Sequence, residues 1–520
     1  MNPATEKRKE AVGTNRRAKR ILAGLLCAAL LAGAGAGWYF GVYTKDFKVT
    51  SGDIFTEVYE GDFYPNIPYD DYLRAEPLPE GAYTVDIRDC GAVPDRDDFN
   101  NRDAVQTAID EVYAHGGGVV YVAGGSFTTG SLTLKSGVTL FVERGSALTA
   151  SRNAADMDKG CLLYAENARD IRLTGGGKLC GEGEWYSLAP AEPPQTEPFA
   201  ETLGVWELRQ AYRRRIRFAH ESKYGNLVRF VGCEGVRVDN FELENSAAWT
   251  LELNGCTGVD ICDLVIDNNR HVANTDGIDV AGSSNVTIAH CFISTGDDGI
   301  VLKNSGELGR GEAMRDVTVR DCRVTSCTNA FKIGTETSFD IADVLVESCE
   351  FFLDDIYPGG VSGISIESAD GARVENVTVR GIEMRGETCP LFISLNNRNS
   401  EGGRDNAGAI ANVTVENIRA EGVEIPVIVT GTKKLTVQNV TLRDFALTYA
   451  PGEDYYDYRP FVPAYDDTYP ECNRMRNLNA YGLFARYADT LTVESFAVTP
   501  RADTRREEVL LRDVTNYTRV

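Results

Sequence analysis

The sequence predicts an all-β solenoid, a right-handed parallel β-helix, on three observations. Short alternating runs of Val, Ile, Thr and Leu recur: GVRVDNFEL at 235, GVDICDLVI at 258, NVTIAHCFI at 285, DVTVRDCRV at 316 and DVLVESCEF at 343. They continue as NVTVRGIEM at 376, NVTVENIRA at 412, KLTVQNVTL at 434 and TLTVESFAV at 490. The starts lie 22–36 residues apart, with one wider gap of 56, which is too short for βαβ units and too regular for unrelated hairpins. Gly, Asn and Asp bound each run. One such coil cannot bury its own apolar side, whereas stacked coils share a continuous core. The right hand follows the usual crossover rule. A β-propeller, the architectural alternative, needs about 40–45 residues of hairpins per blade, which single short strands do not supply.

The elements follow in chain order. Residues 1–20 carry Lys7, Arg8, Lys9, Arg16, Arg17, Lys19 and Arg20 and read as a basic cytoplasmic tail. Residues 21–43 are uncharged and long enough for a transmembrane helix, which needs roughly 20 residues. The basic flank stays inside, so the remainder is expected outside the cytoplasm, membrane-anchored or, if the small residues at 32–37 are cleaved as a signal, secreted. Residues 44–82 read as a polar stalk, and 83–520 as the β-helix. Within 101–117, Ala104, Val105, Ala108, Ile109 and Val112 fall at helical spacing and predict a short amphipathic helix capping the first coil. The Pro-rich piece 189–198 and the Tyr/Asp/Pro-rich piece 451–472 read as long loops off one side.

A net charge of −24 excludes nucleic acid as a natural partner. The one dense basic run, Arg213–Arg217, reads as a solvated insert. Of thirteen cysteines, Cys233, Cys256, Cys291, Cys322 and Cys349 recur at matching places in successive repeats and predict buried, stacked thiols rather than disulfides or zinc ligands. Long repeats need no partner to close their edges, so a monomer is expected.

Two acidic motifs carry the chemistry: Asn274-Thr275-Asp276-Gly277-Ile278-Asp279 and Thr295-Gly296-Asp297-Asp298-Gly299-Ile300. From 276 to 297 is 21 residues, about one coil, so both carboxylates can face one cleft, and Gly296 and Gly299 permit a local distortion that brings Asp298 out beside them. Crowded carboxylates split their pKa values, leaving one protonated and others ionised, which is what glycosidic hydrolysis uses. Isolated Asp-Gly turns and a calcium site are the bland alternatives.

These motifs resemble glycoside hydrolase family 28, the polygalacturonases and their pectin-degrading relatives. NTDGIDV and STGDDGIVLKN are the specific part; VDIRDCGAVPDRDDFNNRDAVQTAID, LVRFVGCEGV, NSAAWTLELNGCTGV and NAYGLFARYADTLTV extend the likeness over about 83–520. The resemblance implies inverting hydrolysis of a pectin-like polysaccharide without metal or cofactor. Asp297 would be the acid, Asp276 and Asp298 would activate water, and the carboxylates would stand about 6.5–9.5 Å apart. Asn274 would shape the subsite. The chain departs from the family where a Gly-His-Gly motif is expected, reading Asn329 in the His position, and where an Arg-Ile-Lys motif is expected, reading Ser365 and Glu367. Lys332 is the expected substitute cation, with His271, Lys303, Arg270 and Arg398 as further candidates; Asn329 and Glu367 are expected to line the site. Specificity shifted from plain polygalacturonate follows. A β-helix lyase and a non-catalytic glycan-binding surface protein are the rival readings.

Overall fold

The computed structural model describes residues 67–187 and 224–520, apart from 271, 307–308, 310, 354–359, 400–406, 453, 455–461, 464 and 476–477. The expected tail and membrane helix, the Arg213–Arg217 run, the 189–198 loop and His271 lie outside the described residues. Among the described residues no helix is long and apolar enough to cross a membrane.

Among the described strands every pairing is parallel, and the coils lie in register on one another apart from shifts after Leu302, Glu421 and Ala480. What enforces the register is a pair of left-handed corners in each coil. One stack of positive-φ residues runs Asp170, Gly235, Gly258, Asn285, Asp316, Asp343, Asn376, Asn412, Asn439, Thr490 and Asn516. The second runs Asn240, Asp263, His290, Asp321, Ser348, Gly381, Asn417, Asp444 and Ser495. Asn, Asp and Gly tolerate this conformation best, which is why they bound the sequence repeats. The corners also correct one repeat. The coil begins at Asn439, not at Lys434: Asn439 takes the left-handed place over Asn412, while Leu435 and Thr432 close a turn before it. A final coil ending at Arg519 extends the series.

The expected stalk is shorter than read. Residues 67–76 lie as a strap against the coils: Tyr69 Oη donates to Asp267 Oδ2 at 2.9 Å, and Arg74 exchanges two hydrogen bonds with Asn240. Tyr72 and Leu73 are buried there with Val265, Phe292 and Phe352. The helix Arg102–Ala114 caps the first coil and buries the five apolar residues the spacing picked out. Cys233 and Cys256 form one buried stack, and Cys291, Cys322 and Cys349 another; all five are free thiols. Each of the last three bonds the carbonyl two residues before it.

A buried carboxyl among the described residues is uncompensated. Glu387 is fully buried, with no hydrogen-bond partner for either carboxylate oxygen, against Gly360, where a Cβ would come within 2.4 Å of it. Burial alone pushes its carboxyl up to about 8. A folded-state pKa raised above the unfolded value of about 4.3 means stability is fully present below that value and is lost as pH rises through about 8. Thermal unfolding of Glu387→Gln between pH 5 and 8.5 is expected to flatten the decline the native chain shows across that window.

Candidate active site

The site stands on one sheet, built from β1 (Leu251–Asn254), β2 (Ile278–Ala281), β3 (Ile300–Asn304), β4 (Asn329–Thr337), β5 (Ser362–Ser368), β6 (Cys389–Leu395) and β7 (Val427–Thr430). Leu251, Ile278, Ile300, Phe331, Ile364 and Leu391 stack inward in register. Alternation then turns their neighbours outward. One outward row reads Glu252, Asp279, Val301, Lys332, Ser365, Phe392 and Ile428; beside it lie Lys303 on β3 and Glu367 on β5.

The carboxylates converge just ahead of these strands. The in-register neighbour of Asp276 is Asp298, not Asp297: Gly277 donates its N–H to Asp298 O, and Ile278 to Gly299 O. Asp297 enters from the turn, where its carbonyl accepts from both Thr295 Oγ1 and Ser326 Oγ at 2.6 Å. Its side chain turns back to take the Asp298 N–H at 2.9 Å. The glycines are there for room rather than for an unusual φ. A Cβ on Gly277 would meet Gly299 O at 2.4 Å, one on Gly296 would meet Val272 O at 2.6 Å, and one on Gly299 would meet Val324 at 2.3 Å.

One oxygen from each of Asp276, Asp297 and Asp298 lies within 4.8 Å of the others, and the three residues are only 3–4 % exposed. Asp276 and Asp298 stand on adjacent rungs of one sheet, and Asp297 joins them from the turn. Asn274, at φ 61°, points Nδ2 at Asp297 Oδ2 at 3.4 Å. Asn329 donates to Asp298 Oδ1 at 2.7 Å and is held by Ser362 Oγ at 2.6 Å. Lys303 Nζ lies 3.1 Å from Asp276 Oδ2 and 2.7 Å from Asp279 Oδ1, over the Trp249 ring. Lys332 Nζ lies 3.1 Å from Asp298 Oδ2 and donates to Tyr469 Oη. Glu367 is buried, accepting from Ser365 Oγ and Thr335 Oγ1. Of the further cations, Arg270 is buried and donates to Ser294 Oγ, and Arg398 is bound to Asp370 and Glu336.

Four contributors escaped the sequence reading. Thr328 Oγ1 bridges Asp297 Oδ1 at 3.1 Å and Asp298 Oδ1 at 2.8 Å. Asp279, Trp249 and Tyr469 complete the two lysine cages. Period-2 alternation from Ile278 would have turned Asp279 outward, and Thr328 adjoins the motif position already singled out. Tyr469 and Trp249 left no local signal, since their contacts are set by the loop path and the coil register.

Burial, and then the charge of Asp297, push the Asp276 carboxyl well above the usual range against the pull of Lys303. Burial pushes Asp279 up to about 7, again against Lys303, and Glu367 up to about 7 against Lys332. Burial opposes the charge on Lys303, but Asp276 and Asp279 outweigh it and raise its pKa; Asp298 and Glu367 do the same for Lys332. Asp276 therefore favours its protonated form near neutral pH. Asp276 Oδ1 is buried without a protein donor. Among the described residues these three aspartates are also the one group close enough to share a metal ion, but two ammonium groups already supply the positive charge.

The sheet ends at a wall. Phe392, Ile428, Phe484 and Leu510 continue outward on the later coils and are covered by Cys472, Met475 and Leu478. Asn396 pins this cover through the carbonyls of Tyr465 and Thr468, and Arg486 through that of Val462.

A family model described as glycosyl hydrolases family 28 matches residues 118–460. A polygalacturonase of Ralstonia solanacearum is 26% identical over 415 residues, covering 70% of this chain and 73% of that protein. A probable polygalacturonase of Vitis vinifera is 25% identical over 58% of this chain and 61% of its own length. Among solved structures, a Yersinia enterocolitica family 28 exopolygalacturonase superposes with TM-score 0.61 at 19% identity, covering 84% of this chain and 78% of that one. A Thermotoga maritima exopolygalacturonase superposes with TM-score 0.58 at 22% identity, covering 74% and 90%. At these identities the two structures speak for the fold, a parallel β-helix.

Removing one partner of a buried ion pair strands the other. Lys303→Met is therefore expected to destabilise the fold by about 3–5 kcal/mol at pH 8, and by less at pH 5, where Asp276 and Asp279 take up protons. Denaturant titrations at the two pH values measure the difference.

Proposed function

The chain belongs to glycosyl hydrolases family 28, and from that premise we propose that it cleaves pectic or related polysaccharide as a polygalacturonase-like hydrolase, with Asp297 as general acid and Asp276 and Asp298 as the pair that deprotonates water. The observation that carries this is the convergence of three carboxylates within 4.8 Å, with Asp276 Oδ1 left without a protein donor. Lys303 and Lys332 bring positive charge against Asp276 and Asp298. Asp297 takes hydrogen bonds from neutral groups, Asn274 and Thr328, and from the Asp298 N–H. The proton retained by the cluster goes to the leaving glycosidic oxygen as water attacks the anomeric carbon and gives up a proton to the pair. Which carboxyl holds the retained proton before substrate arrives is a property of the cluster as a whole.

Inversion is the first reading of stereochemistry, because a third carboxylate lets two members share the water while one protonates. The close set favours a second reading, since carboxyl groups about 5–5.5 Å apart accompany a covalent glycosyl-enzyme and retention. Proton NMR of the first-formed reducing end separates the two; the β-anomer from an α-linked substrate is expected. Beyond the site, the basic 1–20 and uncharged 21–43 segments support an extracytoplasmic, membrane-anchored setting.

Asp297→Asn is expected to lower reducing-end release on pectic substrates by at least ~10²–10⁴-fold with the melting temperature preserved, the usual range for a lost acid–base group. The apolar cover over Phe392 and Ile428 supports attack at a chain end. Chromatography of early digests is expected to show short products from the outset, and a ladder of intermediate lengths would contradict this.

A further inference from the structure

Among the described residues the cations of this cleft are already taken. Lys303 is held by Asp276 and Asp279 and covered by Trp249. Lys332 is held by Asp298 and by the Tyr469 hydroxyl. Arg398, which faces the other contact of the Tyr469 ring, is held by Asp370 and Glu336. The two lysines are 3–4 % exposed, so neither can swing to a ligand without leaving a buried carboxylate behind. Against these cations the site sets Asp276, Asp279, Asp297, Asp298 and Glu367; Glu252, on the same outward row, is already paired with Arg229. On β5 the face beside Lys332 is Ser365 and Glu367, a hydroxyl bonded to a buried carboxylate, which brings negative charge and no cation to this side of the site.

We infer that the sugar seated over Lys332, Ser365 and Glu367 is uncharged at C6, a neutral hexose or a uronate whose carboxyl is esterified, and not a free uronate. This rests on the hydrolase reading above and narrows its substrate. Two facts support it beyond the geometry. Asp276, Asp279 and Glu367 are already displaced upward in pKa, so the cluster holds more carboxyl groups than it can ionise near neutrality, and a further anion must enter with proton uptake. Charge-pairing inside a dry site also fixes specificity by repelling the wrong partner as much as by attracting the right one.

The test uses the full chain and matched substrates that differ only at C6. The pairs are highly methyl-esterified and de-esterified galacturonan, and the aryl α-galactopyranoside and α-galacturonide. At pH 7, kcat/KM is expected to be at least tenfold higher on the uncharged member of a responding pair, and Glu367→Gln is expected to narrow that gap. Response to the esterified polymer alone, or to the galactoside alone, tells the two uncharged classes apart. Equal or faster cleavage of the free uronate, still dependent on Asp297, overturns the inference and leaves the hydrolase reading standing. Calorimetry on the Asp297→Asn variant, with trigalacturonic acid and its methyl ester, reads the charge preference without turnover. Tighter binding of the acid overturns the inference even if no substrate is cleaved, whereas absence of cleavage by the native chain on every substrate sinks the hydrolase reading itself.

Discussion

Everything functional here depends on in-register stacking of parallel coils. A slip of one residue would turn each outward side chain into the core, and the carboxylates would point among leucines. The two columns of left-handed corners prevent such a slip, because few residues other than Asn, Asp and Gly accept that backbone, and the columns recur at fixed positions in coil after coil. The acidic site is thus a by-product of periodicity: Asp276 and Asp298 meet because their coils are stacked, and Asp297 joins them because a turn tied down by Thr295 and Ser326 delivers it from the side.

Charge is the second organising constraint. Five carboxylates and two lysines are packed into a nearly sealed patch, where an unpaired charge is far more costly than at the surface. The arrangement is tolerable because each lysine is shared and because part of the carboxyl population stays protonated. Stability and reactivity are therefore drawn from one proton inventory, and changing a residue that never touches a substrate, such as Asp279, alters the protonation of those that do.

Much of this could be read along the chain. The alternating runs gave the strands, their bounding Asn and Asp residues the corners, and the helical spacing around Ile109 the cap, since each is a local signal. NTDGID and TGDDGI located the trio for the same reason. What escaped was non-local. Lys434 and Asn439 begin equally plausible alternating runs, and only the neighbouring coil decides between them. The 67–76 strap is too short for any periodicity to declare itself, and the partnership of Lys332 with Asp298 and Tyr469 depends on a loop 137 residues away. Opposite-charge pairing inside the cleft was invisible because a sequence shows which charges exist but not which are already spent on each other.

The strap has a further consequence for how the molecule is made. Coils contact coils a few dozen residues away, but the Tyr69–Asp267 bond spans 198 residues and the Arg74–Asn240 bond 166. During vectorial synthesis the strap emerges early, and its polar contacts to Arg144 and Thr174 can form on the first coils, but its apolar seat is incomplete until the coils through His290 and Phe292 exist. Closure over Val265 and Phe292 is consequently a late event with a large loop entropy. Until then an apolar stripe on a growing solenoid stays open to water, so the half-made chain, rather than the finished one, is the form most in need of a chaperone.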